Sequence, residues 1–379
     1  MKARLTKGLF YLLILPAAIA VGGWQGWSWW SWATAPVLSS AVVEAEQEAS
    51  DPETIFEETA VQLQIPSGTS GQQIGRDLEA AGLIKSSTAW NLWTRWRIFR
   101  DPDGGYRAGT YRLSPTQPLK AIAAQLWSGE VVTEGFTVPE GWNRRQIAAA
   151  LEAEGFFSAQ AFLTATETIP TDQFPWLPDG LPHLEGFLYP DTYQVPAEQV
   201  TPDVIIAAML RRFEQVALPL YQAQQSSLSL LEWTTLASIV EKESVVDEER
   251  GTIAGVFTNR LEQNIPLGAD PTVEYGLGIT QTPENPLTFA QVQTPNPYNT
   301  YINAGLPPTP IASPGEASLA ATLDPESTEY LYFVARYDGT HVFSRTLAEH
   351  EATQARIRAG IESQIDAQSD SAAADEASQ

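Results

Sequence analysis

From Gly8 to Val43 the chain carries no formal charge, and Lys2, Arg4 and Lys7 stand directly before that stretch. No other segment constrains the fold as strongly. Leu9 to Gly22 is strongly apolar, and Trp24, Trp27, Trp29, Trp30 and Trp32 follow it. A spanning helix needs about 20 predominantly apolar residues, and tryptophan collects at the membrane–water interface. The pattern predicts a cytoplasmic N-terminus and a single N-terminal transmembrane helix within 1–35, with the basic end in the cytoplasm and the bulk of the chain outside. Pro16 is tolerated in such a span. A cleaved signal peptide is the rival reading, with small-residue sites at Ala18-Ile19-Ala20 or Ala33-Thr34-Ala35. The apolar and aromatic segment, however, exceeds the roughly 7–15 residues of a signal-peptide core.

Residues 36–58 are acidic and rich in small side chains, which predicts a stalk with little drive to form a core. Beyond it the chain repeats itself at an offset of 73 residues. Ile65-Pro66-Ser67-Gly68, Gln73-Ile74, Leu78-Glu79-Ala80 and Gly82 correspond to Val138-Pro139-Glu140-Gly141, Gln146-Ile147, Leu151-Glu152-Ala153 and Gly155. Each copy reads as a strand, a Pro-x-Gly turn and an amphipathic helix closed by glycine. Two copies are too few for a solenoid and point to small α+β modules. Tyr106 to Leu113 reads as a further strand, and Lys120 to Trp127 as a short helix.

A net charge of −24 argues against nucleic acid as a partner, and against anionic lipid held through a basic surface, the first few residues excepted. The chain has no cysteine, so disulfides, thiolate metal sites and cysteine nucleophiles are excluded. His183, His341 and His350 are the only histidines, and none stands in a metal-ligand spacing. No cofactor is expected.

Leu236-Ala237-Ser238-Ile239-Val240-Glu241-Lys242-Glu243-Ser244 is the stretch with chemical content. At 100° per residue, Leu236, Ile239, Val240 and Glu243 share one helix face, while Glu241 points elsewhere. A carboxyl that prolongs the core-facing stripe is partly desolvated, and the negative end of the helix dipole acts in the same sense. Both favour the protonated form that a general acid requires. Pattern alone leaves open a solvated helix end with an ordinary glutamate.

Leu184 to Tyr193 is dense in aromatics and carries Glu185 and Asp191, a composition that suits sugar rings and packed loops alike. Thr201 to about Ala217 reads as an amphipathic helix. Asp247 is the expected N-cap of another, running to about Leu261 with Asn259 and Arg260 near its end. Pro266 to Gly278 is turn-rich and offers Asp270, Thr272 and Tyr275. The proline-rich loops Pro295 to Tyr301, with Asn299 and Tyr301, and Gly305 to Ile311 follow. Tyr330 to Ala335 and His341 to Ser344 form a hairpin signal around Asp338-Gly339. Leu347 to Ile365 reads as a final helix and 363–379 as a disordered acidic tail.

Taken together these residues resemble the endolytic murein transglycosylases of the YceG-like (MltG) family. The carrying motifs are EGFLYPDTY (Glu185 to Tyr193), LASIVEKES (Leu236 to Ser244), VFTNRL (Val256 to Leu261), ADPTVEYGLG (Ala269 to Gly278), PYNTY (Pro297 to Tyr301), GLPPTPIASPG (Gly305 to Gly315) and YLYFVA (Tyr330 to Ala335). The resemblance implies an inner-membrane protein with its catalytic domain outside the cytoplasm. It also implies an α+β fold, with a small LysM-like module over 59–133 and a mixed α+β catalytic domain over 134–362 whose helical core surrounds the catalytic glutamate. Glu243 is then the catalytic residue, with Glu241 as the rival acid. Glu185, Asp191, Ser244, Asp270, Thr272, Tyr275, Asn299 and Tyr301 become candidate substrate contacts. The implied substrate is the glycan strand of nascent peptidoglycan, and peptidoglycan synthases are implied partners. A non-catalytic glycan-binding scaffold of the wall machinery is the alternative. The family's EKET motif is EKES here, and the stalk and acidic tail are this chain's own.

Overall fold

The computed structural model describes residues 14–38, 56, 59–224, 226–282, 285–336 and 338–359. The expected acidic tail, nearly all of the expected stalk and the first residues of the expected anchor lie outside them. The chain divides into two units, Met1–Glu134 with Val195–Gln199, and Gly135–Gln194 with Val200–Gln379. Both mix helices with short strands, so the fold is α+β.

The first unit begins with helix α1 (Leu15–Thr34). Its aliphatic first half gives way to Gly, Trp and Ser, and among the described residues no helix is long and apolar enough to cross a membrane. Its end is tied down, because Ala33 is buried in the core of the unit and Trp30 packs beside it. That core is built from β1 (Val61–Ile65), the antiparallel β2 (Gly109–Leu113), α2 (Gly71–Ala80), α3 (Ser87–Arg100) and α4 (Leu119–Ser128). Ile74, Leu78, Trp90, Tyr111, Leu113 and Leu126 fill it. Trp90 also donates its indole N–H to the carbonyl of Gly71, 2.9 Å away.

The internal repeat is structural. In the second unit α5 (Arg144–Ala153) begins and ends 73 residues after α2. Both helices close in the same way: the N–H of Leu83 bonds back to the carbonyl of Leu78, and that of Phe156 to Leu151. This closure requires a left-handed residue, supplied by Gly82 (φ 70°) and Gly155 (φ 84°). The correspondence extends one element further. Glu79 accepts from the N–H of Ser87 at the start of α3, and Glu152 from that of Ala159 at the start of α6 (Ala159–Ala165).

The remainder of the second unit is organised around α8 (Leu230–Glu243), whose residues Trp233 to Val240 are all buried. Ser229 and Glu232 cap its start reciprocally. Around it stand α7 (Pro202–Ala223), α9 (Arg250–Glu262), α10 (Asp270–Leu277), the short α11 (Phe289–Val292) and α12 (Glu316–Leu323). Strands β3 (Thr133–Thr137) and β4 (Thr192–Pro196) pair, as do β5 (Tyr332–Ala335) and β6 (His341–Ser344), and residues 347–359 form a last helix, α13. Helix α9 passes close to the chain at Glu326, where a Cβ on Gly255 would lie 2.4 Å from a backbone oxygen.

Three local expectations change. Helix α7 continues past Ala217 to Ala223 and carries Pro219 inside it. Asp247 does not cap α9; it opens a 3₁₀ turn (Asp247–Glu249) and its carboxylate pairs with Arg250 at 2.6 Å. The supposedly turn-rich Pro266–Gly278 segment contains α10, which starts on Asp270-Pro271 and ends on left-handed Gly278. Proline in the first turn and glycine just past the end are the marks of a short helix as much as of a loop.

Candidate active site

Helix α8 carries two carboxylates near its end, and packing sends them to different places. Glu241 accepts from the N–H of Gly315 at 3.1 Å and from the hydroxyl of Ser318 at 2.7 Å, closing the start of α12. Glu243 is half-buried and opens onto a cleft of about 470 Å³. The cleft is lined by Arg260 of α9, the turn 265–268, Asp270 at the start of α10, Tyr301, the strand β5 from Tyr332 to Ala335, His341 of β6, and Leu347, His350 and Gln354 of α13.

The electrostatics of the cleft favour a protonated Glu243. Burial pushes its carboxyl up to about 8, the carboxylates of Asp270 and Glu274 add to this, and Arg260 and Lys242 oppose it. A group that holds its proton at neutral pH and faces an open cleft can donate that proton to a bound molecule. Arg260 is fixed in place, with Nε donating to the carbonyl of Leu331 at 2.5 Å and Nη1 to that of Leu267 at 2.6 Å. Its guanidinium also lies 4.9 Å over the Tyr332 ring. Tyr301 donates its hydroxyl to Asp270 at 2.6 Å. Burial and the Asp270 charge raise the phenol further above its ordinary range, so it stays a neutral donor.

Of the residues singled out by sequence, the cleft brings together Glu243, Asp270 and Tyr301. The others stand elsewhere. Glu185 is fully buried; it accepts from the backbone N–H of Arg144 at the start of α5 and from the hydroxyl of Tyr275 at 2.8 Å. Burial lifts its carboxyl to about 7, while those two donors lower it. Asp191 pairs with Arg212 of α7 at 2.5 Å. Thr272 is buried against Ala269 and Thr300, and Asn299 bonds to the carbonyls of Val292 and Thr294. Ser244 ends α8, with its hydroxyl buried and without a partner. None of these six lines the cleft.

The cleft also recruits residues that the sequence reading passed over. His341 takes Glu249 through Nδ1 at 2.7 Å, and its backbone N–H bonds to the same carboxylate. His350 stacks on Tyr332 with ring centroids 5.4 Å apart. Sequence spacing gives neither histidine a metal-ligand or triad pattern, and among the described residues no cluster of metal-binding type occurs. The motif YLYFVA was the available signal: its last four residues form β5, and all four line the cleft, far along the chain from Glu243.

Comparison with known proteins places this architecture. Residues 63–356 match the model of the YceG-like family. The chain is 34% identical over 306 residues to the endolytic murein transglycosylase of Bacillus subtilis, covering 77% of this chain and 83% of that protein. It is 31% identical over 325 residues to an endolytic murein transglycosylase of Streptococcus pneumoniae, covering 76% of this chain and 58% of that longer protein. The crystal structure of a YceG-like protein from Listeria monocytogenes superposes with a TM-score of 0.52 at 30% identity, over 78% of this chain and 99% of that one. A family match over residues 63–356, with a relative 34% identical over 77% of the chain, shows that this chain belongs to the YceG-like family.

Proposed function

We propose that this chain is an endolytic lytic transglycosylase of peptidoglycan. The observation that carries this reading is the placement of Glu243, a carboxyl biased toward its protonated form and lining an open cleft of about 470 Å³. The names of the relatives support the same reaction class.

In this mechanism Glu243 protonates the oxygen linking N-acetylmuramic acid C1 to N-acetylglucosamine, and the C1–O bond breaks. The resulting carboxylate then takes the proton of the muramyl C6 hydroxyl as that oxygen bonds to C1, leaving a 1,6-anhydro end. No water is consumed, so a single carboxyl serves as acid and then base, unlike the pair used in hydrolysis. Arg260, Tyr301 and Asp270 border the reacting region, and the Tyr332 face offers a stacking surface for a sugar ring. The product would be a shortened nascent strand, so the activity would end glycan elongation beside the synthases that build it.

The same reading assigns residues 59–133 as a LysM-like glycan-holding module and 134–362 as the catalytic domain. It places both on the outer face of the inner membrane, held by the uncharged N-terminal stretch. The exposed Ile19, Trp24 and Trp27 of α1 support that anchor.

The test is product analysis on un-crosslinked glycan by mass spectrometry. Release of 1,6-anhydromuramyl ends by the full chain, and their loss in folded Glu243→Gln, is the expected result. Products with reducing muramyl ends, or full activity in that variant, would refute the mechanism.

A further inference from the structure

The chain's charge of −24 is unevenly spread. Residues 59–133 hold eight Lys and Arg against five Asp and Glu. Three of those basic side chains, Arg95, Arg97 and Arg100, lie on α3. Among the described residues none of the three is in an ion pair; instead Arg97 lies over Trp127 at 5.1 Å and Arg100 over Trp96 at 5.2 Å.

Helix α3 turns Ala89, Trp90 and Thr94 into the core of its unit. Beside that face Leu92, Trp96 and Phe99 fall at i, i+4 and i+7, one continuous row, and they are 47, 45 and 84% exposed, with the Trp96 ring 5.0 Å from that of Trp93 at the edge of the core. Ile98 flanks the row and is also exposed. A helix ordinarily buries such a row, and a contiguous bare apolar surface marks a contact with something else. Cations beside it narrow the choice. Tryptophan, phenylalanine and leucine on one face with arginine at its border is the composition of a helix lying in a membrane interface.

Continuity points the same way. The end of α1 is seated on this unit, with Ala33 in the core and Lys85, just before α3, standing 6.0 Å over the ring of Trp32. The uncharged N-terminal stretch is therefore delivered beside α3.

We propose that α3 docks on an anionic bilayer surface. Leu92, Trp96 and Phe99 enter the boundary between headgroups and acyl chains, and Arg95 and Arg100 meet lipid phosphates. Whole-chain charge argues against such a surface. Local charge decides instead, because exposed charges are screened beyond about 8–10 Å at physiological salt. This docking is independent of the transglycosylase reading.

The chain has no cysteine, so one introduced thiol gives a unique label. A nitroxide on Phe99→Cys in the full chain is compared on vesicles of pure phosphatidylcholine and of phosphatidylcholine mixed with phosphatidylglycerol. Accessibility to oxygen and to a water-soluble nickel chelate reads the depth of residue 99 itself, whatever the N-terminal stretch does. The expected result on phosphatidylglycerol vesicles is a several-fold rise with oxygen and a several-fold fall with the chelate. A label on Gln72→Cys of α2 stays aqueous throughout. Adding R95E and R100E returns the residue 99 label to water, and circular dichroism shows the fold intact. The proposal is overturned if residue 99 remains as aqueous on phosphatidylglycerol vesicles as in solution. It is equally overturned if the label is shielded without lipid in a concentration-dependent way, which would mark a second copy as the occupant.

Discussion

Glu241 and Glu243 stand two residues apart on one helix and end in opposite environments. Glu241 closes the start of α12 through Gly315 and Ser318, while Glu243 faces the cleft beside Arg260 and Asp270. The separation follows from the 200° that two residues subtend on a helix.

That division can be measured. Glu243→Gln should lower turnover by at least about 10²-fold, the usual scale for losing a general acid, with the far-ultraviolet spectrum unchanged. Glu241→Ala should leave turnover measurable but cost about 1–2 kcal/mol, because the Gly315 N–H and Ser318 hydroxyl lose a half-buried acceptor. Parallel urea unfolding and product assays compare the two. Equal loss of activity in both variants at equal stability would remove the distinction.

Activity should fall as pH rises through about 8, where Glu243 gives up its proton. The Asp270 carboxylate is the first of the charges that raise this value. Asp270→Asn should therefore move the alkaline limb of the kcat/KM profile to lower pH. A limb that stays in place would show that another group titrates it.

Stability should carry the same signature with a defined sign. Glu243 is raised in the folded state, so its contribution is complete below about pH 4.5 and declines as pH rises toward about 8. Glu243→Gln removes the ionisation. Its melting temperature should exceed that of the parent by a margin that widens from pH 5 to pH 8, as followed by calorimetry. A margin independent of pH would mean that the carboxyl is not desolvated.

Glu185 is buried yet serves the fold. Glu185→Gln offers one acceptor oxygen where two donors, the Arg144 N–H and the Tyr275 hydroxyl, now converge. A cost of about 1–3 kcal/mol is expected, seen as a lower urea midpoint at constant slope. An unchanged midpoint would count against this role.

Gly255 tests the packing of α9. Gly255→Ala would place its Cβ against the backbone oxygen of Glu326, which has no rotamer through which to yield. Overpacking of this kind costs about 1–3 kcal/mol, more than the gain from alanine's helix propensity. A thermal melt at or above that of the parent would contradict the contact.

What the sequence determined by itself was local and periodic. The offset of 73 residues set both repeat helices and their glycine closures, because caps and left-handed glycines are decided within a few residues. The wheel of Leu236, Ile239, Val240 and Glu243 separated the cleft-facing glutamate from Glu241 for the same reason: helical geometry is a local property. Tertiary structure decided everything that depends on who meets whom. Aromatic density around Glu185 and Asp191 could not reveal that one carboxylate supports α5 and Tyr275 while the other pairs with Arg212. Nor could spacing show that Arg260, Tyr332, His341 and His350, spread over about ninety residues of chain, share a cleft with Glu243. The row of Leu92, Trp96 and Phe99 is the sharpest case. Its period announces a buried face, and only the packing of Trp90 and Thr94 into the core shows that the row is left outside. Periodicity states that a helix has an apolar side, but the competition among its sides for one core is settled only when all the partners are in place.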